Sequence, residues 1–159
     1  MLNSKFIDIL RSLSKAELKQ LRDLIRSPLY NSNKNVIKLF EFTRKFSPGF
    51  DNPALKKESL FKILYPGKKY NDTVMRILIS DLLRLGEEYL IYSKSKQMPV
   101  GESLILLEEL KERGLDNLFN IHLRDISKQL DRMNDLRNKY FYKFELEIIN
   151  VDFNVRRDR

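Results

Sequence analysis

Apolar residues recur at steps of three and four positions along most of the chain, which is the period of amphipathic α-helices. The longest such run lies in residues 72–93. Its apolar residues at helical spacing are Val74, Met75, Leu78, Leu82, Leu85, Tyr89 and Tyr92. A helix of this length spans about 33 Å at about 1.5 Å per residue, which is enough to cross a small domain. We therefore expect it to be the central helix of the fold.

Short polar signals mark where the helices begin and end. Pro66 lacks a backbone donor and Gly67 permits a positive φ, so a helix that ends near them cannot simply continue. Asn71 is placed to cap the central helix, because its side-chain oxygen can accept a backbone N–H of the first turn. Ser14 and Glu17 have the spacing of a capping box and predict the start of a second helix.

The same periodicity predicts seven further helices, so the fold class is all-α, a bundle of about eight helices. They occupy residues 2–13, 14–26, 33–46, 53–64, 102–113, 116–133 and 134–148. Pro53 is expected in the first turn of the fourth helix, and Asp116 and Asn134 are expected to cap the last two. The aromatic residues are assigned to the core. The apolar residues assigned to the eighth helix are Leu136, Tyr140, Phe141, Phe144 and Ile148.

The pattern also predicts a division of the chain. Residues 94–100 have the composition of a linker, with Pro99 as a helix breaker. We therefore expect a basic helical domain in residues 1–95, built around the central helix, and a helical-hairpin region in residues 101–159. Apolar residues continue close to the end of the chain, which predicts that it is the N-terminal part of a longer helical protein. Residues 145–155 are compatible with both a helix and a strand.

Charge is distributed unevenly between the two halves. Residues 1–80 contain 16 Lys and Arg against 7 Asp and Glu, a net charge of +9, whereas residues 81–159 contain 14 against 15, a net charge of −1. Such an excess is typical of a protein that binds a polyanion, either nucleic acid or an anionic membrane. The alternative is that the lysines form solvated helix faces, which their scattered distribution favours.

Composition limits the remaining classes of protein. The 159 residues are 42% hydrophobic, enough to bury a core, and they include no cysteine, which excludes disulfides and thiolate metal sites. Residues 1–13 interrupt their apolar positions with polar and charged residues, unlike a secretory signal. The apolar runs are much shorter than the roughly 20 residues of a membrane-spanning helix. We therefore expect a cytoplasmic protein without a membrane span.

Two segments resemble known families. Residues 101–133 span 33 positions, close to the period of two-helix repeats, and this region loosely resembles a tetratricopeptide-type unit. The resemblance implies stacked helical hairpins and protein binding, but the Trp, Leu-Gly and Tyr pattern of that family is absent. No binding residue is therefore transferred from it.

The second resemblance covers residues 57–91, where a helix, a tight turn and a second helix are similar to the recognition half of a helix-turn-helix or winged-helix domain. In that family the second helix enters the major groove of DNA. The resemblance implies that Lys68 and Lys69 contact phosphates and that Thr73 and Arg76 lie near base edges. The alternative, which we favour, is that the turn is a corner between packed helices and that Arg76 is solvated.

Catalytic chemistry has little support in the sequence. His122 is the only histidine, so no His pair can bind a metal, and any Ser-His-Asp set would depend on this residue. Gly67, Lys68 and Lys69 lack the earlier glycine and the following Ser or Thr of a phosphate-binding loop. We therefore expect neither an enzyme nor a bound cofactor. The sequence favours a non-catalytic helical scaffold that binds a protein partner, with nucleic-acid binding by the basic first half as the alternative.

Overall fold

The computed structural model describes residues 5–157, which form eight α-helices, two short 3-10 turns and no strand. The prediction of an all-α fold is therefore confirmed. Residues 2–4 of the predicted first helix lie outside the described range. The helices are α1 (Lys5–Ser12), α2 (Lys15–Arg26), α3 (Lys34–Thr43), α4 (Lys57–Leu64), α5 (Asp72–Ser95), α6 (Pro99–Glu112), α7 (Asp116–Asp131) and α8 (Leu136–Arg157).

The chain divides into two compact units, the first ending at Ile91 and the second beginning at Tyr92. The division falls within α5, which extends to Ser95. Pro99 was expected to act as a helix breaker within a linker, but it lies in the first turn of α6. A backbone N–H in the first turn of a helix has no helical acceptor, so a proline, which lacks this N–H, costs no hydrogen bond there. The fixed φ of proline also suits a helix start. Residues 94–100 are therefore two helix ends joined by the turn at residues 96–98, rather than an extended linker.

The core of the first unit lies around α5. The buried residues of α5 within this unit are Met75, Leu78, Leu82, Leu85, Gly86 and Tyr89. Gly86 packs against α1, where a Cβ atom would lie 3.2 Å from Ile9 Cδ1 and 3.3 Å from two ring carbons of Phe6. The absence of a side chain at this position thus permits the close approach of α1 to α5.

The predicted caps of α2 and α5 are confirmed. The backbone N–H of Ser14 donates to the Glu17 carboxylate over 2.8 Å, and the N–H of Glu17 donates to Ser14 Oγ over 3.3 Å. Together these bonds form the capping box. At α5 the N–H of Val74 donates to the side-chain oxygen of Asn71 over 3.2 Å. Both caps satisfy backbone donors that the first helical turn leaves without a partner.

Three other predictions at helix starts are wrong, namely the start of α4, the cap of α7 and the cap of α8. Pro53 opens a 3-10 turn, and α4 begins only at Lys57. Asp116 lies inside the first turn of α7, whose N-cap position is Leu115 and has no side-chain hydrogen bond. The reason is that Gly114, at φ +67°, ends α6 in a tight turn, so that Leu115 occupies the cap position and Asp116 is already the first residue of α7.

The start of α8 is displaced for a different reason. Asp135, rather than Asn134, accepts the N–H of Asn138 over 3.2 Å, so the cap lies one residue later than predicted. Two neighbouring residues with similar capping ability compete at this point. The ambiguous residues 145–155 are helical and form the C-terminal half of α8.

Within the second unit, α6, α7 and α8 pack against one another around a separate core. The buried residues are Val100, Leu104, Leu107, Leu110, Phe119, Ile126, Leu130, Tyr142, Leu146, Ile149 and Phe153. The rings of Phe119 and Phe153 stack with their centroids 3.8 Å apart, which fixes α7 against α8. One face of α8 is thus anchored in the interior.

Candidate protein-interaction surface

Helix α8 has two apolar faces. One face is buried in the second unit and carries Tyr142, Leu146, Ile149 and Phe153. The opposite face carries a second set of apolar side chains, which are between 49% and 66% exposed. We call this set the outer row, and its members are Phe141, Phe144, Ile148, Val151 and Val155. Successive members are three, four, three and four residues apart, the spacing of the seam between two helices of a coiled coil.

The outer row corrects the sequence analysis, which assigned the aromatic residues of this helix to the core. Two apolar neighbours of the row on α8 are also exposed, Leu136 at 63% and Tyr140 at 68%. Single exposed apolar residues are ordinary on a protein surface, whereas a continuous row is typical of interaction sites. The row is therefore the strongest candidate for a binding surface in the described part of the chain.

Carboxylates flank the row on both sides. Glu145 and Asp152 follow the row along one side, and Glu147 lies on the other. Asp152 accepts a hydrogen bond from Lys111 over 2.6 Å, which lowers the pKa of the Asp152 carboxyl below its usual value. In the described residues no salt bridge involves Glu145 or Glu147, whereas their neighbour Lys143 is paired with Asp131 at 3.0 Å. The central part of the row thus has uncompensated negative charge beside it.

A groove runs between α6 and α8 next to the row. It has a volume of about 280 Å³. Apolar parts of Ile105, Tyr142 and Ile149 line it, and the carboxylates of Glu108 and Glu145 lie at its edge. Ile105 is 68% exposed, so the apolar surface extends from α8 toward α6. The groove therefore offers an apolar recess with acidic residues at its rim.

The four residues predicted to contact nucleic acid all lie on the surface of the first unit. Lys68, Lys69 and Thr73 are exposed around the start of α5. The Lys68 ammonium group lies 5.8 Å from the centre of the Tyr65 ring, in a cation–π contact. Arg76 is also exposed, but its Nε atom is 2.6 Å from the Asp72 carboxylate. Among the described residues, Lys68, Lys69 and Thr73 thus have no carboxylate partner, and Arg76 is paired with Asp72.

Asp72 organises the corner before α5. Tyr70 donates a hydrogen bond to its carboxylate over 2.8 Å, and Lys57 donates another over 3.1 Å. These bonds lower the pKa of the Asp72 carboxyl. Partial burial, together with the bond to Asp72, raises the pKa of the Tyr70 hydroxyl to about 12. The sequence pattern does not reveal this cluster, in which the Asp72 carboxylate pairs with Lys57 and Arg76.

Other chemistry has no geometric support in residues 5–157. His122 is half-buried on α7. No three His, Asp or Glu side chains in this range converge on a position for a metal ion. Within the same range, no helix has both the length and the apolar composition to cross a membrane.

Comparisons with models of protein families, with curated proteins and with solved structures give no match for this chain. The geometry defines a class only in structural terms, as two compact all-helical units. The sequence does contain a signal for the outer row. Residues 141–155 of α8 carry two interleaved apolar sets at helical spacing, and a helix with two apolar faces can bury only one of them against a small core.

Proposed function

We propose that this chain is a non-catalytic helical scaffold that binds another protein through the outer row of α8. The observation that supports this proposal is the coiled-coil spacing of five exposed apolar side chains opposite a buried face. An amphipathic helix of the partner fits such a row, because its own apolar side chains repeat at the same intervals. Partner binding would remove both apolar surfaces from water.

The exposed area supports an affinity in the useful range. Fully burying a large apolar side chain contributes about 1.5–3 kcal/mol, so completing the burial of a half-exposed one contributes about 1 kcal/mol. The five side chains of the row thus contribute about 5 kcal/mol, and the partner's side chains contribute a similar amount. Loss of translational and rotational freedom offsets at least about 4 kcal/mol of this gain. The net gain is at most about 6 kcal/mol, so the expected dissociation constant is about tens of micromolar or weaker unless polar contacts add to it.

The experiment compares the proteins captured by three forms of the full chain. Phe144→Gln combined with Ile148→Gln replaces two members of the row by a polar residue that tolerates a helix. Leu118→Gln is the matched control, because Leu118 is a 47% exposed leucine on α7. We expect at least one protein to be captured by the unaltered chain and by the control but not by the double variant. That protein, once purified, should bind directly, whereas a set of captured proteins unaffected by the double variant would contradict the proposal.

Nucleic-acid binding by the first unit is the second candidate function. Residues 1–91 contain 17 Lys and Arg against 10 Asp and Glu, a net charge of +7, and Lys68 and Lys69 are exposed without a salt bridge in the described residues. Fluorescence anisotropy with random duplex and single-stranded oligonucleotides tests this candidate. Binding should weaken steeply with salt, and replacing both lysines by alanine should make that dependence shallower. Absence of binding at low salt would exclude it.

A further inference from the structure

We infer that the occupant of the outer row is a basic amphipathic helix, one that carries Lys or Arg on both sides of its own apolar stripe. This inference rests on the proposed function and adds the chemistry of the partner. It is carried by the charges that border the row, since apolar contact alone does not distinguish one amphipathic helix from another.

The uncompensated carboxylates lie where the flanking residues of a docked helix would pass. Glu145 and Glu147 occupy the two positions next to the seam, which in a coiled coil face the flanking positions of the partner helix. Glu108 adds a third carboxylate at the edge of the groove beside α8. Lysine or arginine on the partner would pair with these groups, whereas acidic residues would be repelled.

The same charges disfavour a second copy of this chain as the occupant. In an antiparallel pair of α8 helices, Glu145 of one copy would lie close to Asp152 of the other. The two Glu147 side chains would lie close to each other on the other side of the seam. In a parallel pair, Glu147 would face Asp152. Neither arrangement provides a basic partner for Glu145 or Glu147, because the flanking positions of a second copy carry Glu145, Glu147, Asp152 and Asn154.

Among the described residues of α8, Lys143 is the one basic residue between Phe141 and Val155, and it is paired with Asp131 at 3.0 Å. Arg137 lies one turn before Phe141, and Arg156 follows Val155 and is 3.4 Å from Asp152. The acidic stretch therefore coincides with the middle of the row. From Phe141 to Val155 the row extends over about 21 Å at about 1.5 Å per residue, so a partner helix of about four turns covers it.

The groove between α6 and α8 gives the inference a second contact point. A long basic side chain that leaves the partner helix beside Glu145 can lay its apolar stem along Ile105 and Ile149 and place its charge near Glu108. Such a side chain matches both the apolar lining and the acidic rim. An acidic or short side chain satisfies neither.

Three synthetic peptides of about 18 residues test the inference by fluorescence anisotropy with the full chain. The first has Leu at the seam positions and Lys at the flanking positions, and the second has Glu in place of Lys. The third keeps the composition of the first but shuffles the leucines off one face. We expect the first peptide to bind at least about tenfold more tightly than either of the others, and its preference over the Glu peptide should shrink as salt rises.

Variants separate the two parts of the idea. Glu145→Gln with Glu147→Gln should remove most of the preference for Lys over Glu, while Asp125→Asn, an exposed acid on α7, should leave it unchanged. Phe144→Gln with Ile148→Gln should abolish binding of the first peptide. Equal binding of the Lys and Glu peptides, lost in that last variant, would overturn the basic partner but leave the proposed function standing.

Three other outcomes would also overturn the inference. One is equal binding of the shuffled peptide, which would show attraction by charge alone. Another is no binding of the Lys peptide at low salt, in which case the capture experiment above decides the proposed function separately. The third is sedimentation evidence of a dimer that Phe144→Gln with Ile148→Gln dissociates, because the occupant would then be a second copy.

Discussion

Replacing Gly86 with alanine should destabilise the first unit even though alanine is the better helix former. Inside a helix, the change from glycine to alanine is worth about 1 kcal/mol in favour of the folded state. The new Cβ atom, however, would meet Ile9 Cδ1 at 3.2 Å and the Phe6 ring at 3.3 Å. Ile9 presents the end of a flexible side chain and can adjust. Phe6 is only 1% exposed and packs edge-on against Phe40 at 6.5 Å, so it cannot.

The balance of these terms sets the expected magnitude. Overpacking a closed core costs about 1–3 kcal/mol, which exceeds the gain in helix propensity. We therefore expect Gly86→Ala to lower the free energy of unfolding by about 1 kcal/mol. The cost should fall on the contact between α1 and α5, so the amide protons of α1 should exchange faster with solvent.

Urea denaturation followed by far-ultraviolet circular dichroism measures the change, with hydrogen exchange locating it. Gly101→Ala in α6 is the control, because the atoms nearest to its added Cβ lie at 3.7 Å and 3.9 Å, which is ordinary contact. That variant should be neutral or gain up to about 1 kcal/mol. A Gly86→Ala protein as stable as the unaltered chain, with unchanged exchange in α1, would refute the close-packing explanation.

Three further predictions concern polar groups of the first unit. The pKa of Tyr70 is raised in the folded protein, so its stabilising contribution is present below the unfolded pKa of about 10 and is lost as the pH rises toward about 12. The free energy of unfolding should therefore fall with pH in this alkaline range, and Tyr70→Phe should reduce that pH dependence. The pKa of Asp72 is lowered in the folded protein, so its stabilising contribution is present above the unfolded pKa of about 3.9 and is lost as the pH falls through the folded pKa. In Asp72→Asn the free energy of unfolding should therefore depend less on pH in this acidic range. A pH profile identical to that of the unaltered chain would contradict either assignment. Ser14→Ala should cost about 1 kcal/mol by removing the cap of α2, measured by the same urea titration, and Ser14→Asp should retain most of the stability; equal losses in both would count against the cap.

Helix formation and some caps could be predicted from local chemistry. The capping box at Ser14 and the Asn71 cap depend on residues within three positions of each other, so the sequence contains what is needed to place them. The start of α8 could not be placed to the residue, since Asn134 and Asp135 offer competing caps. The cap of α7 could not be assigned either, since the backbone conformation of the turn at Gly114 places Leu115 at the cap position and Asp116 in the first turn.

The exposure of the outer row was harder to predict than the helix that carries it. Periodicity shows which residues share a face of α8, but it does not show which face meets the core when both are apolar. Phe144 and Phe153 have the same chemistry, yet one is 66% exposed and the other 4% exposed, because only Phe153 has a stacking partner in Phe119. The pairing of Lys57 with Asp72 was missed for a related reason, since it joins residues 15 positions apart in sequence.

The outer row also has a consequence for the abundance of this protein in a cell. A chain whose apolar row is uncovered presents the kind of surface that molecular chaperones and proteases recognise in incompletely assembled proteins. If a partner helix normally covers the row, molecules made in excess of that partner should be degraded faster than those in the complex. The abundance of the chain should then follow the supply of its partner, as is usual for subunits that are stable only after assembly.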